Sequence, residues 1–341
     1  MSEVKNNFHE LTYEKAGVSI ERGQAAVEAL RPWAAMTRRP EVMTDIGGFA
    51  GGFKLGDTEL LAGADGVGSK ILIAEALGVY HTIGIDLVAM NVNDVLAAGG
   101  EPLFFLDYIA MGRVTPERVT ALVRGMAEGC QAAGCALLGG ETAEMPDVYP
   151  GDGCDVSGFA VGRRRWAPAD PPIQRGDVVV GLLSSGFHAN GYQLIRHIVQ
   201  TTGHGWTETL PELDGQSLGE ALLTPTRIYV RPVMTLWEQV HVKAMAHITG
   251  GGLVENVPRT LGSWGAVIEW DRWPHPSIMN LIQEWGRLGR REMVRTFNGG
   301  IGFTVVVDKE DVDQALSILA ASGTPAYPIG EIVDQPGVVV Q

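Results

Sequence analysis

A glycine-rich turn with an acidic residue at its start and a lysine at its end follows a short apolar segment. It reads Asp65-Gly66-Val67-Gly68-Ser69-Lys70. Glycines let backbone N–H groups approach a phosphate, and the start of the following helix adds a favourable dipole. Lys70 would supply positive charge, and Asp65 could hold a magnesium ion that bridges phosphate oxygens. The order Gly-Ser-Lys differs from the Gly-Lys-Ser/Thr of a Walker A loop, so a phosphate site and an ordinary tight turn both remain open.

A second turn of this kind, residues 184 to 191, joins a predicted strand to a predicted helix. The hydroxyl of Ser185, the backbone at Gly186 and the side chains of His188 and Asn190 could surround an anion. His188 is also a candidate for proton transfer, because an unperturbed imidazole has a pKa near 6.5. The alternatives are a simple hydrogen bond from His188 to phosphate, and a helix start that Ser185 or Asn190 caps.

The third turn contains three consecutive glycines, in the order Thr249-Gly250-Gly251-Gly252 after His247. Each glycine loses more conformational entropy on folding than other residues do. We therefore expect these glycines to serve a close approach of the backbone to a ligand. Three turns of this type in one chain predict a protein that handles more than one phosphate group.

An apolar segment that is predicted to form a helix from Gly84 to Ala98 carries four polar residues, Asp86, Asn91, Asn93 and Asp94. Asp86 and Asn93 are seven residues apart and share a face, whereas Asn91 and Asp94 are neighbours three residues apart. Carboxylates inside an apolar helix are costly unless they are paired or bind metal. We expect a metal site or a polar network here, with a solvent-facing stripe as the alternative. The predicted magnesium ligands are Asp65, Asp94 and Glu141.

The composition excludes several classes of protein. The chain of 341 residues carries a net charge of −14 and has a pI near 5.0, which disfavours binding to nucleic acid or to an anionic membrane surface. No segment reaches the roughly 18 uncharged apolar residues of a membrane span. The cysteines are Cys130, Cys135 and Cys154, a sparse and odd set that fits a reducing cytoplasm. Neither a Cys-x-x-Cys nor a His-Glu-x-x-His zinc motif occurs.

Strand-like and helix-like segments alternate in both halves, which predicts an α/β (α+β type) fold with two mixed α/β domains. The prolines of Pro168 to Pro172 indicate a linker. The predicted regions are a flexible leader over 1–57 that includes the glycine-rich loop 47–52, an N-terminal domain over 58–167 and a C-terminal domain over 173–341. The predicted elements include helices over Ile20–Ala35 and from Thr224-Pro225 onward, and strands over Leu60–Ala64, Ile301–Val307 and Ala326–Val333.

Long motifs in a fixed order resemble those of the phosphoribosylformylglycinamidine cyclo-ligases, or AIR synthetases. They are Asp65 to Lys70, Gly84 to Met90 with Asn93-Asp94, Glu101 to Tyr108, Gly139 to Pro146, Leu223 to Val230 and His247 to Gly252. The likeness runs from about Tyr13 to Val339. Selenophosphate synthetase, a relative within the same superfamily, uses a reactive Cys or selenocysteine near its N-terminus, whereas the first cysteine here is Cys130. A non-catalytic nucleotide-binding protein is the alternative of a different class.

The resemblance implies an enzyme that uses ATP and Mg²⁺ to close the ring of formylglycinamidine ribonucleotide, and it leaves a K⁺ requirement open. It also implies a homodimer whose N-terminal sheets close a barrel, with ATP near that interface and loop 47–52 as a cover. The implied catalytic residues are His188 and Lys70. The implied ATP-binding residues are Asp65, Gly66, Gly68, Ser69, Lys70, Glu141 and Thr142. The implied substrate-binding residues are Ser185, Gly186, His188, Asn190, Thr249, Gly250, Gly251 and Gly252.

Overall fold

The computed structural model describes residues 13–167 and 172–341. The start of the predicted leader and most of the predicted linker lie outside these ranges. The elements of the first half are α1 (Ile20–Ala35), β1 (Gly51–Leu55), β2 (Thr58–Gly66), α2 (Ile71–Leu77), α3 (His81–Ala97), β3 (Gly100–Met111), α4 (Pro116–Ala133), β4 (Ala136–Glu144) and β5 (Cys154–Arg164).

Eleven further elements follow the linker region. They are β6 (Val178–Leu183), α5 (Tyr192–Thr202), α6 (Leu218–Leu222), α7 (Val230–Trp237), β7 (Val242–His247), α8 (Gly252–Asn256), β8 (Gly265–Ile268), α9 (Ser277–Gly286), α10 (Arg290–Thr296), β9 (Ile301–Val307) and α11 (Val312–Ala321). Two C-terminal strands, β10 (Ala326–Val333) and β11 (Gly337–Val340), complete the fold.

The first sheet has the strand order β1-β2-β5-β3-β4, and its β3–β4 pair is parallel while the other pairs are antiparallel. Helices α3 and α4 pack against each other, and α3 contacts β2, β3 and β5. Most side chains of α3 are buried, which explains its mostly apolar sequence. The opposite face of this sheet leaves large side chains such as Tyr108 and Phe159 about 40% exposed.

The second sheet has the order β11-β8-β10-β6-β9-β7. Strand β9 is buried along its whole length, because β6 and β7 flank it and helices cover the sheet. Helix α3 of the first half also contacts β7 and α7 of the second. The predicted mixed α/β architecture with two sheets is therefore confirmed. Within the described residues, every helix is too short or too polar to span a bilayer.

Three predictions of local structure need correction. The predicted leader contains β1, which pairs with β2 as a full member of the first sheet. Strand β5 was not predicted at all, although it lies in the middle of that sheet. The helix predicted to begin at Thr224-Pro225 begins at Val230 instead, and residues 224 to 229 have no regular structure.

Candidate active site

Two carboxylates meet where β2 ends against α3. Asp65 lies at the end of β2, and its Oδ1 accepts the N–H of Gly66 at 2.7 Å. Burial, and next the negative charge of Asp94 on α3, raise the pKa of Asp65 to about 6. Asp65 and Asp94, predicted together from the sequence, are thus close enough to repel each other. A cation between them would relieve that repulsion.

The surroundings of these carboxylates supply further polar atoms. Asn91 lies one turn before Asp94, and its Nδ2 donates to the carbonyl of Leu87 at 2.8 Å and to that of Asp65 at 3.3 Å. Its Oδ1 is buried and has no hydrogen-bond partner among the described residues. Magnesium prefers oxygen ligands, so the donor set of Asp65, Asp94 and Asn91 fits a hard divalent cation.

His247, at the end of β7, completes this side of the site. It is fully buried, and its Nδ1 lies 2.8 Å from Oδ1 of Asp94. Its Nε2 has no partner among the described residues. The sequence motif contained His247, but nothing in the spacing paired it with Asp94, which is 153 residues away. This contact joins the first half of the chain to the second at the site.

Glu141 is a correction to the predicted metal set. In the first sheet Asp65 pairs with Gly158, Gly158 with Asp107, and Asp107 with Gly140. Three inter-strand steps of about 4.8 Å put Gly140 about 14 Å from Asp65. Glu141, the next residue, points to the opposite face of the sheet. Among the described residues no three His, Cys, Asp or Glu side chains form a metal-binding group, so one chain does not assemble Asp65, Asp94 and Glu141.

Lys70 is a second correction. Its side chain is completely buried, and its Nζ lies 2.7 Å from Oδ2 of Asp86. The same Nζ donates to the carbonyl oxygens of His188 and Thr224, each at 2.8 Å. Two hydrogen bonds and one ion pair thus surround the ammonium group, and its complete burial leaves no access for a phosphate. Gly66, Gly68 and Ser69 remain at the predicted phosphate turn, with Gly68 exposed and in the left-handed region at φ 62°.

The second glycine-containing turn places His188 inside the protein rather than at its surface. His188 has a left-handed backbone with φ 60°, and its Nε2 accepts the N–H of Ser185 at 3.2 Å. Burial lowers its pKa well below 6.5, so the ring is neutral at pH 7. Nδ1 therefore carries the proton, and it has no partner among the described residues. This arrangement favours the hydrogen-bond donor that was one of the two predicted roles of His188.

The third turn meets the second, but its glycines serve different purposes. A Cβ on Gly252 would lie 2.0 Å from the carbonyl oxygen of Val294, so this glycine is required by packing and not by a ligand. A Cβ on Gly251 would collide with its neighbour Glu255 at 2.8 Å. Gly250 is exposed, and a Cβ there would make ordinary contact with Asn190 at 3.6 Å. The predicted approach of backbone to ligand is thus restricted to Gly250 and the adjacent Thr249.

Comparison with protein families defines the class to which this fold and site belong. Residues 47–164 match the N-terminal domain of AIR synthase related proteins, and residues 174–341 match the C-terminal domain of the same group. Solved structures agree at the level of the fold. The chain resembles AaThiL complexed with AMPPCP and TMP with a TM-score of 0.64 and 17% identity, over 95% of each chain. It resembles a thiamine-monophosphate kinase from Stenotrophomonas maltophilia with a TM-score of 0.62 and 19% identity, over 93% and 96% of the two chains.

Relatives of higher identity specify the family within that class. The chain is 49% identical to a phosphoribosylformylglycinamidine cyclo-ligase of Desulfitobacterium hafniense, over 95% of this chain and 97% of the relative. It is 48% identical to the enzyme of the same name from Cupriavidus metallidurans, over 94% and 93% of the two chains. The chain belongs to the phosphoribosylformylglycinamidine cyclo-ligase family, as the resemblance of its motifs predicted.

Proposed function

We propose that this protein closes the imidazole ring of aminoimidazole ribonucleotide from formylglycinamidine ribonucleotide, with ATP converted to ADP and phosphate, as a step of purine biosynthesis. This conclusion rests on the identity of 48–49% to cyclo-ligases over nearly the full length of the chain. An amide oxygen is a poor leaving group, and its phosphorylation makes it a good one. The amidine nitrogen then attacks the activated carbon and phosphate departs. The nitrogen and the activated carbon belong to the same molecule, so the protein has to hold that molecule in a conformation that brings the two atoms together.

The ATP side of the site lies on the first half of the chain. Asp65, Asp94 and Asn91 would hold Mg²⁺, which offsets the negative charge of the transferring phosphoryl group when it is bound. The backbone of Gly66 and Gly68 and the hydroxyl of Ser69 would bind phosphate oxygens. The charge repulsion between Asp65 and Asp94 and the buried Oδ1 of Asn91, which has no partner among the described residues, support this assignment.

The ribonucleotide side lies on the second half. Ser185, Gly186 and Asn190 of one turn, and Thr249 and Gly250 of the other, would contact the substrate, because the two turns meet at Asn190. Neutral His188 would donate a hydrogen bond from Nδ1 and would not act as a general acid near pH 7, since its pKa lies well below 6.5.

A homodimer would explain the exposed apolar face of the first sheet. Leu103, Tyr108 and Phe159 on β3 and β5 are each 36–40% exposed, although they belong to the central strands of the sheet. A barrel closed by the sheets of two copies would bury them. Glu141 and Thr142, both exposed on edge strand β4, would then lie beside the nucleotide at the interface. Replacing Phe159 by Glu should shift the mass in analytical ultracentrifugation from dimer to monomer; a monomeric parent protein would refute this arrangement.

The domain division and the location of the protein complete the proposal. We place the boundary between residues 167 and 173, because the first sheet ends with β5 at Arg164 and the second begins with β6 at Val178. Loop 47–52 would cover the bound nucleotide. The free thiols of Cys130, Cys135 and Cys154 suit a reducing cytoplasm.

The activity is tested by incubating the purified protein with ATP, MgCl₂ and formylglycinamidine ribonucleotide. We expect one aminoimidazole ribonucleotide and one ADP per turnover. Reactions without each component, and a reaction with thiamine monophosphate in place of the ribonucleotide, serve as controls. ADP release that does not depend on the amidine substrate, or phosphorylation of thiamine monophosphate, would contradict the proposed function.

A further inference from the structure

Lys70 connects the two halves of the protein at a point that is closed to solvent. It comes from the turn after β2, and two of its three oxygen partners, the carbonyls of His188 and Thr224, belong to the second half. The third is the carboxylate of Asp86 on α3, 2.7 Å away, and both side chains of this ion pair have zero exposure. A single ammonium group therefore joins the phosphate turn, α3 and two segments of the second half.

Two residues of α3 bind the irregular segment 224–229 through its backbone. Oδ1 of Asp86 accepts the N–H of Thr226 at 2.7 Å and its hydroxyl at 2.5 Å. Asn93, on the same face of the helix, donates to the carbonyl of Arg227 at 2.9 Å and accepts the N–H of Tyr229 at 3.0 Å. Three of these four bonds reach a backbone atom, so they fix where the backbone of this segment lies.

Segment 224–229 in turn holds the turn that contains His188. The hydroxyl of Ser185 donates to the carbonyl of Pro225 at 2.5 Å, and the N–H of Arg227 points to Nε2 of His188 at 3.5 Å. The hydroxyl of Tyr229 donates to the carbonyl of Leu183, just before the turn, at 2.9 Å. These contacts, together with the Lys70 bond to His188, connect α3 to the proposed substrate turn without a gap.

A buried ion pair is weak evidence for stability, because a well-packed apolar pair of similar volume is often as stable or more so. A buried ion pair does, however, need hydrogen-bond partners in fixed directions. It therefore favours one position of the surrounding backbone over slightly shifted positions, since a displaced backbone would leave a buried charge unsatisfied. Here the partners of Lys70 and Asp86 include backbone atoms of segment 224–229 and of the substrate turn itself. The same α3 carries Asn91 and Asp94 of the proposed metal site.

We propose that Lys70, Asp86 and Asn93 are positioning residues, which hold segment 224–229 and the Ser185–His188 turn at a fixed distance from the carboxylates that bind metal and ATP. This inference rests on the proposed function, and it assigns Lys70 to alignment of the two substrates in place of phosphate contact. A misplacement of about 1 Å between reacting groups can lower a rate about 100-fold.

The test replaces the ion pair by apolar residues and measures folding and catalysis separately. In the double variant Lys70→Met with Asp86→Leu, no unpaired charge remains inside the protein. The control is Lys243→Met with Asp177→Leu, which removes a second buried lysine–aspartate pair, at 2.9 Å in the second half of the chain. Asp308, which also pairs with Lys243, is partly exposed and keeps its contact with His241. Circular dichroism and urea unfolding establish that each variant is folded before steady-state kinetics and calorimetric binding of a non-hydrolysable ATP analogue are measured.

We expect the Lys70/Asp86 variant to remain folded and to lose about 100-fold in kcat. The Kd of the ATP analogue should change less than about threefold, because none of the proposed ATP contacts uses the side chain of Lys70 or Asp86. The Lys243/Asp177 variant should retain kcat within about twofold.

A folded Lys70/Asp86 variant with parental kcat would overturn the proposal, as would an equal loss in the control. If the Lys70/Asp86 variant does not fold, Asn93→Ala removes two backbone bonds without a charge change, and an unchanged kcat there refutes positioning. An inactive parent protein would instead refute the proposed function.

Discussion

The third glycine turn allows one substitution to be predicted in detail. Gly252 is required by packing, whereas Gly250, two residues earlier, is exposed at the proposed substrate site. Gly252 has φ 57°, and a Cβ there would lie 2.0 Å from the carbonyl of Val294 and 2.6 Å from that of Phe297. A left-handed backbone disfavours a non-glycine residue by roughly 1–2 kcal/mol. Relief of the overlap requires α8 and α10 to separate, and such overpacking typically costs about 1–3 kcal/mol. Gly252→Ala should therefore lower the free energy of unfolding by about 2–5 kcal/mol.

Gly250→Ala is the matched comparison two residues away. Its Cβ would meet Asn190 at an ordinary 3.6 Å, so the free energy of unfolding should change by about 0.5 kcal/mol or less. The added methyl group would, however, lie in the exposed part of the turn that we assign to the substrate. We expect kcat/KM for the ribonucleotide to fall about tenfold or more, which corresponds to about 1.4 kcal/mol.

Urea unfolding followed by circular dichroism gives the stability of both variants, and steady-state assays at a temperature where both are folded give kcat/KM. We expect the two variants to rank differently in the two measurements. Gly252→Ala should have the lower free energy of unfolding, and Gly250→Ala should have the lower kcat/KM per folded molecule. Equal stabilities would refute the packing explanation of Gly252. Parental kcat/KM in Gly250→Ala would remove that residue from the substrate site.

Three further predictions concern the charged and titrating groups. Asp65→Asn should abolish ATP-dependent turnover while leaving the circular dichroism spectrum unchanged, and near-parental activity would exclude Asp65 from the metal site. The single substitution Lys243→Met should destabilise the protein by about 3–5 kcal/mol in urea unfolding, because it leaves buried Asp177 without its 2.9 Å counter-charge. His188 has a pKa well below 6.5 when folded, so the unfolded state binds more protons below that pH. The parent should therefore lose stability as pH falls from 7.5 to 5.5, and His188→Asn should show a shallower loss, by up to about 1.4 kcal/mol per pH unit; identical slopes would contradict a buried neutral ring.

Strand β9, an apolar run that is buried at every position, has the predicted bounds. Helix α1 and strand β10 also have the predicted bounds, although α1 is almost wholly exposed. Strand β5 is not recognisable from the sequence. Its buried and exposed positions alternate over much of its length, but the exposed positions include Phe159. Apolar and polar residues therefore do not alternate along it. The glycines of 47–52 predict a loop, yet the last two of them, Gly51 and Gly52, begin strand β1. A Cβ on Gly52 would lie 3.1 Å from Thr44 and 3.3 Å from Met43, so close packing against that segment explains one of them.

The error at Thr224-Pro225 has a different physical cause. Thr followed by Pro is a good local signal for a helix start, as cap and first-turn residue. The backbone groups of 224–229 are instead bonded by Lys70, Asp86 and Asn93, which precede them by more than 130 residues. The local preference for a helix is outweighed where buried polar side chains hydrogen-bond to the backbone of the segment. A single sequence does not reveal such partners, because they become neighbours only after both halves have folded.

The polar residues of α3 show the same limit: their spacing predicts which of them share a face, but not what each face contacts. Their spacing placed Asp86 with Asn93 and Asn91 with Asp94, and the structure confirms that the first pair binds segment 224–229 while the second borders Asp65. The spacing did not reveal what fixes the rotation of the helix. A Cβ on Gly84 would lie 2.1 Å from the carbonyl of Leu122, so α3 and α4 are in direct backbone contact there. This contact restricts how α3 can turn, so a change that separates α3 from α4 should disturb the proposed positioning residues and the proposed metal ligands of α3 together.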